Sequence, residues 1–183
     1  NVYALHGNSN SPMILPSAYQ VRAPFGADIG GVNPPFYGIA NNDVLGYAEF
    51  DSWLTVGITD GSAPEWIAAS PGMDIATLWT ATTVLSETNC AMFLMDPDNP
   101  RFFDENILVP GVPIVLAQIS VPVGSSGTVV MGLQGRSTPD ENNEYRPDWR
   151  QDGVVWNYGA EAEAAASEPE PTSSSCAGNK TRD

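Results

Sequence analysis

Apolar positions in this chain alternate more often than they recur at helical spacing. In residues 50–61, FDSWLTVGITDG, Leu54, Val56 and Ile58 fall on one side of an extended chain and Trp53, Thr55 and Gly57 on the other, before the turn signal TDG. Period two predicts a strand over residues 52–58, and apolar groups on both sides predict burial of both faces. Residues 113–122, PIVLAQISVP, repeat the pattern with Val115, Ala117, Ile119 and Val121 on one face and Pro at each end, predicting a strand over 114–121. The Gly and Ser connection VGSSG leads into GTVVMGLQG, where a strand over 128–134 is expected to pair antiparallel with the one before it. Leu54, Val56, Val115, Ile119 and Val121 are the expected core.

Weaker alternation marks VYAL near the start, AYQVRA at 18–23, CAMFLM at 90–95 and GVVWNY at 153–158. One short helix is expected at 62–69, SAPEWIAA, where Ser62 stands at a cap position, Pro64 in the first turn and Glu65 three residues on. With 17 Gly and 16 Pro scattered between the runs, the pattern reads as six to nine short strands and at most one short helix. The expectation is an all-β fold, an antiparallel β-sandwich or jelly-roll-like domain over residues 1–158. From Gly159 to Asp183 the chain becomes GAEAEAAASEPEPTSSSCAGNKTRD, without aromatic or large apolar residues. This is a low-complexity Ala, Glu, Pro and Ser tail, extended and acidic, unable by itself to offset the entropy of its own ordering.

Charge narrows the partners. Seven Lys and Arg stand against 22 Asp and Glu, a formal charge of −15, so nucleic acid and anionic membrane surfaces are repelled. No run reaches the roughly 20 apolar residues of a membrane-spanning helix, which argues against direct membrane insertion. The absence of an initial Met or a basic-then-apolar start reads as a processed or trimmed chain. The two cysteines, Cys90 and Cys176, form no CxxC pair, and either a long-range disulfide between them or two independent thiols fits the sequence.

Candidate chemistry is sparse. His6 is the single histidine, the one place where a hydrolase could find its base, and no G-x-S-x-G, H-E-x-x-H or phosphate-binding loop accompanies it. The acidic loop MDPDNPRFFDEN, residues 95–106, offers Asp96, Asp98, Asn99, Asp104 and Glu105 as oxygen ligands for calcium, although the EF-hand register is missing and DPDNP also describes a tight surface turn. Asp51 and Asp60 cannot act as a glycosidase pair if the strand between them is extended, because nine residues at about 3.3 Å each hold them roughly 30 Å apart. Five Trp, with NPPFYG at 33–38 and YRPDWR at 145–150, leave room for a glycan-stacking patch, though most such rings belong to cores. Asn179 in NKT is a glycosylation acceptor by pattern.

The ordered series LHGNSNSPMILPSAYQ, APFGADIGGVNPPFYG, FDSWLTVGITDG, FLMDPDNP and VLAQISVPVG resembles a group of uncharacterised secreted β-rich proteins of marine microalgae, with looser bacterial cell-surface counterparts, over residues 3–158. The resemblance implies an extracytoplasmic β-sandwich. It supplies no catalytic residues and leaves the acidic tail unexplained.

The expected function is therefore that of a non-enzymatic structural or assembly protein outside the cytoplasm, secreted or at the cell surface, with an organelle lumen as the alternative. It would serve as a repeating unit of a surface filament or coat, or as an accessory subunit of a large complex, with no cofactor and with its tail packed on a neighbour. Its partners would be copies of itself or other subunits. A calcium-assisted glycan-binding module is the second reading, and a hydrolase using His6 the third.

Overall fold

The computed structural model describes residues 1–97, 99, 113–137 and 147–159. The described chain is mostly β, and its strands pair antiparallel, beside one isolated parallel bridge between Ile29 and Leu54. Seven strands form one sheet: β1 (Val2–Gly7), β2 (Met13–Leu15), β6 (Ile67–Ala69), β7 (Leu85–Glu87), β8 (Cys90–Leu94), β10 (Gly127–Arg136) and β11 (Asp148–Tyr158). Its axis is β10. β11 runs along one edge of β10 from Gly127↔Tyr158 to Arg136↔Asp148, while β1 and then β2 share the opposite edge. Beyond them β8 and β6 continue from β1, and β7 from β2.

Two smaller ladders complete the fold, β3 (Asn41–Asn42) with β4 (Gly46–Tyr47) and β5 (Trp53–Leu54) with β9 (Ala117–Gln118). One main core joins Leu5, Met13, Leu15, Met92, Met131 and Leu133 of the large sheet to Leu54, Val56 and Ile58. Trp79 is fully buried in it, and its indole Nε1 donates to the Pro16 carbonyl at 2.6 Å, which satisfies the one polar group of that ring.

The stretch 51–56 is buried at every position, as alternation of apolar groups on two faces leads one to expect. Its regular strand is nevertheless two residues long rather than seven. The Thr55 hydroxyl donates to the Ile58 carbonyl and accepts from the Ile58 amide at 3.0 Å, and Gly57 sits at φ +98, so the chain turns where the sequence pattern continues. Pairing persists irregularly beyond β5, with Thr55 N donating to Leu116 O and Gly57 N to Val115 O.

The expected 114–121 strand likewise shrinks to β9, and the hairpin with 128–134 does not form. β9 pairs with β5, whereas both edges of β10 are taken by other strands. VGSSG is therefore a crossing between ladders, and Val115, expected in the core, is 44% exposed. Residues 18–23 form no ladder: the Tyr19 amide and carbonyl bond singly to Ser120 and Ser52, and a turn begins at Arg22, whose carbonyl accepts from Phe25 N and Gly26 N.

At 62–69 the expected helix is a single 3-10 turn, Ala63–Glu65, running into β6. The Ser62 hydroxyl donates to Asp60 at 2.6 Å instead of capping the turn. The expectation of at most one short helix is also corrected: two four-residue helices occur elsewhere, α1 (Phe36–Ile39) and α2 (Ile75–Leu78), with a further 3-10 turn at Ala48–Phe50. A single turn is too short to leave a 3.6-residue period in the sequence.

Candidate assembly edge and flanking grooves

β11 is the longest strand and pairs with β10 alone among the described residues. Its two halves differ. The first carries Asp148, Arg150 and Asp152, with Arg136 Nε 2.8 Å from Asp148 and Arg150 Nε 2.9 Å from Asp152. A bulge follows, since Met131 faces Val154 and Leu133 faces Gln151, leaving Gly132 opposite both Asp152 and Gly153. Gly153 takes φ +62 there, and a Cβ would stand 2.3 Å from the Ser11 hydroxyl. The second half, Val154 to Tyr158, is regular and uncharged, with Val155 56% and Trp156 38% exposed. Charges and bulges are the devices that block pairing at an open edge. Here they guard the first half and stop at Gly153.

His6 belongs to this bulge. It pairs with Gly132 across β1 and β10, and its ring lies over that glycine to place Nε2 2.7 Å from the Asp152 carboxylate. Hydrogen bonds from His6 and Arg150 hold the Asp152 carboxyl below its ordinary range. The imidazole is buried, and among the described residues Asp152 is its hydrogen-bond partner. The arrangement is chemically a pin: it ties β1 to β11 across an intervening strand.

Two grooves flank the strands. One, of about 400 Å³, lies between Ile114, Leu116 and Ile119 on one side and Val129, Met131 and Trp156 on the other, beside the open half of β11. The second, of about 670 Å³, is rimmed by Tyr19, Tyr47 and Phe50 and lined by Ala18, Ile119, Val121 and Pro122. Its rings are fixed by the backbone around β5. Tyr19 N donates to Ser120 O, Ser52 N to Tyr19 O, and Tyr47 N to the Tyr19 phenol oxygen at 3.0 Å. The Tyr47 hydroxyl donates to Asp43 at 2.9 Å, and the carboxylate so close raises the phenol above its usual range.

Next to Phe50 in the chain, Asp51 is wholly buried. Its two carboxylate oxygens accept from Val21 N at 2.7 Å and Ala27 N at 2.6 Å, so one side chain fastens the 21–27 loop to the chain entering β5. Burial pushes its pKa up to about 6, against the pull of the Val21, Ala27 and Ser52 amides and with a smaller push from Asp28. Asp28 is itself raised by burial and by the charge of Asp74. Asp60 is exposed, so the two carboxyls share no environment, and the turn at Gly57 replaces the fully extended span expected between them.

The remaining candidates scatter. Asn99 turns back on Asp96, Nδ2 to Oδ2 at 3.4 Å and N to O at 3.3 Å, while Asp98, Asp104 and Glu105 lie outside the described residues. Among the described residues no three His, Cys, Asp or Glu side chains are grouped to hold a metal ion. Cys90 is buried with its thiol 3.7 Å from the Glu87 carbonyl, and burial raises that thiol's pKa; Cys176 and Asn179 lie outside the described residues. Phe36 packs edge-to-face on Phe25 at 5.6 Å in a small second cluster, whereas Trp149 packs on the main core, so NPPFYG and PDWR serve different clusters. No helix among the described residues is long and apolar enough to cross a membrane.

Comparison with models of protein families, with curated proteins and with solved structures finds no match to this chain.

Proposed function

We propose that this protein is a non-enzymatic, extracytoplasmic structural or assembly protein, a β-sandwich whose large sheet and β5–β9 layer enclose one core and whose copies join through the open half of β11. The observation that carries this reading is the contrast within that strand. Residues 148–152 bear the charges and the bulge that discourage edge pairing, and residues 154–158 have, among the described residues, no partner strand beyond β10, with Val155 and Trp156 exposed. Strand addition supplies affinity through main-chain hydrogen bonds and specificity through alternate side chains. The apolar groove beside Trp156 offers such side chains a seat. The acidic composition and the Asn179 acceptor fit a secreted or surface setting.

Size-exclusion chromatography with light scattering tests the proposal on the full chain and on Val155→Lys/Trp156→Lys. Wild type should show a mass at least twice the 19.5 kDa of one chain, and the variant should fall to the single-chain mass. Wild type that stays monomeric up to millimolar concentration would overturn it.

A further inference from the structure

We propose that the groove rimmed by Tyr19, Tyr47 and Phe50 receives the proline-bearing part of the C-terminal tail, residues 167–172 (SEPEPT), in polyproline II form. The inference deepens the assembly reading and rests on it where tail and groove belong to different copies. Three observations converge on this occupant. The first is chemical: polyproline II segments dock in grooves walled by aromatic rings, because the conformation is already formed and loses little entropy on binding. Pro169 and Pro171 are the only ring-bearing side chains of a tail that lacks aromatic and large apolar residues. With three residues per turn, Pro169 and Pro171 flank one edge of the segment and Glu170 points away from it.

The second observation is where the described chain ends. Gly159 is packed against Ser125 and Ser126, so closely that a Cβ would lie 2.3 Å from the Ser125 carbonyl oxygen. Ser125 closes a turn on Pro122 through its amide at 3.1 Å and its hydroxyl at 2.6 Å, and Pro122 and Val121 line the groove. The tail thus leaves the fold one turn from the groove's wall. Residues 160–168 can span up to roughly 30 Å at about 3.3 Å each, enough to reach this groove or that of an adjoining copy.

The third is electrostatic. The groove's lining carries no charged side chain, so an acidic segment that turns its prolines inward meets no carboxylate on the lining. Tethering then raises the local concentration of the segment to the millimolar range, where modest contacts suffice.

The test compares ¹⁵N–¹H correlation spectra of the full chain and of the full chain carrying Pro169→Gly and Pro171→Gly. The amides of Tyr19, Tyr47, Phe50, Ser120 and Val121 should shift. In the reciprocal variant Phe50→Ser, at a position 54% exposed and so safe for folding, the amides of Glu168, Glu170 and Thr172 should gain mobility. Groove amides unmoved by the tail substitutions would overturn the proposal, as would groove amides that respond to a soluble oligosaccharide and not to the tail. Light scattering on the same samples separates the two readings. Shifts in a monomeric protein support docking within one chain and count against assembly, whereas an oligomer whose groove ignores the tail supports assembly and refutes docking.

Discussion

Replacing Gly132 by Ala tests whether the His6 pin holds β11 in place. Gly132 is not one of the left-handed glycines, so Ala is conformationally tolerable there and the substitution tests space alone. Its Cβ would lie 2.3 Å from His6 Nε2 and 2.6 Å from both Cδ2 and Cε1. Ordinary contact needs about 3.5 Å, so the ring must retreat by roughly 1 Å, and the 2.7 Å hydrogen bond with Asp152 cannot survive that displacement. Overpacking of this kind costs about 1–3 kcal/mol. That cost should lower Tm by roughly 2–12 °C for a chain of this size and shift the urea midpoint at constant m. A double-mutant cycle with His6→Ala sharpens the assay, since removing the ring gives the new methyl room. The Gly132→Ala cost should fall by at least about 1 kcal/mol in that background. Gly132→Ala within about 0.5 kcal/mol of wild type, or strict additivity in the cycle, would refute the reasoning.

Asp51 makes a prediction in pH. Its folded pKa of about 6 lies above the unfolded carboxyl value, so its contribution favours folding most below about pH 4 and is lost as pH rises through 6. At about 1.4 kcal/mol per pKa unit the change is at most about 3 kcal/mol, and Asp51→Asn should remove that part of the pH dependence of urea unfolding; identical pH slopes for the two proteins would contradict the assignment. Val56→Asp, at a site 5% exposed, should cost at least about 3 kcal/mol by placing an unpaired charge in the core, and an unchanged Tm would show that the 51–56 stripe is not core. Deleting residues 160–183 should leave the Tm of the monomeric protein within roughly 2 °C while weakening incorporation into assemblies, as followed by sedimentation; normal incorporation of the shortened chain would count against a tail that packs on a neighbour.

Alternation told the class of the fold and the burial of 51–56, because period two survives wherever one face or both faces meet a core. VYAL, CAMFLM, GTVVMGLQG and GVVWNY all became strands of the large sheet. The lengths of β5 and β9 were not legible, since Thr55 competes for the backbone through its hydroxyl, a contact that alternation does not encode. Pairing was not legible either. VGSSG has hairpin length, but which edges of β10 remain open depends on Ala4, Ile14 and Val155, far away in sequence. His6 drew notice as a lone histidine, yet its partner Asp152 lies 146 positions on and is reached only because Gly132 lacks a side chain. The aromatic groove could have been suspected from SAYQ and GYAEF on either side of the turn-rich 21–46 region. Nothing in either stretch says that Tyr19 and Tyr47 meet.

The claim that copies join at the open half of β11 is tested most directly by amide hydrogen exchange along that strand as protein concentration is raised. Residues 154–158 should gain protection with concentration, in the amides that do not already bond to β10, while 148–152 and the bulge at Gly153 stay unchanged. Exchange at 154–158 that is independent of concentration, or protection that rises instead in the charged half, would contradict it.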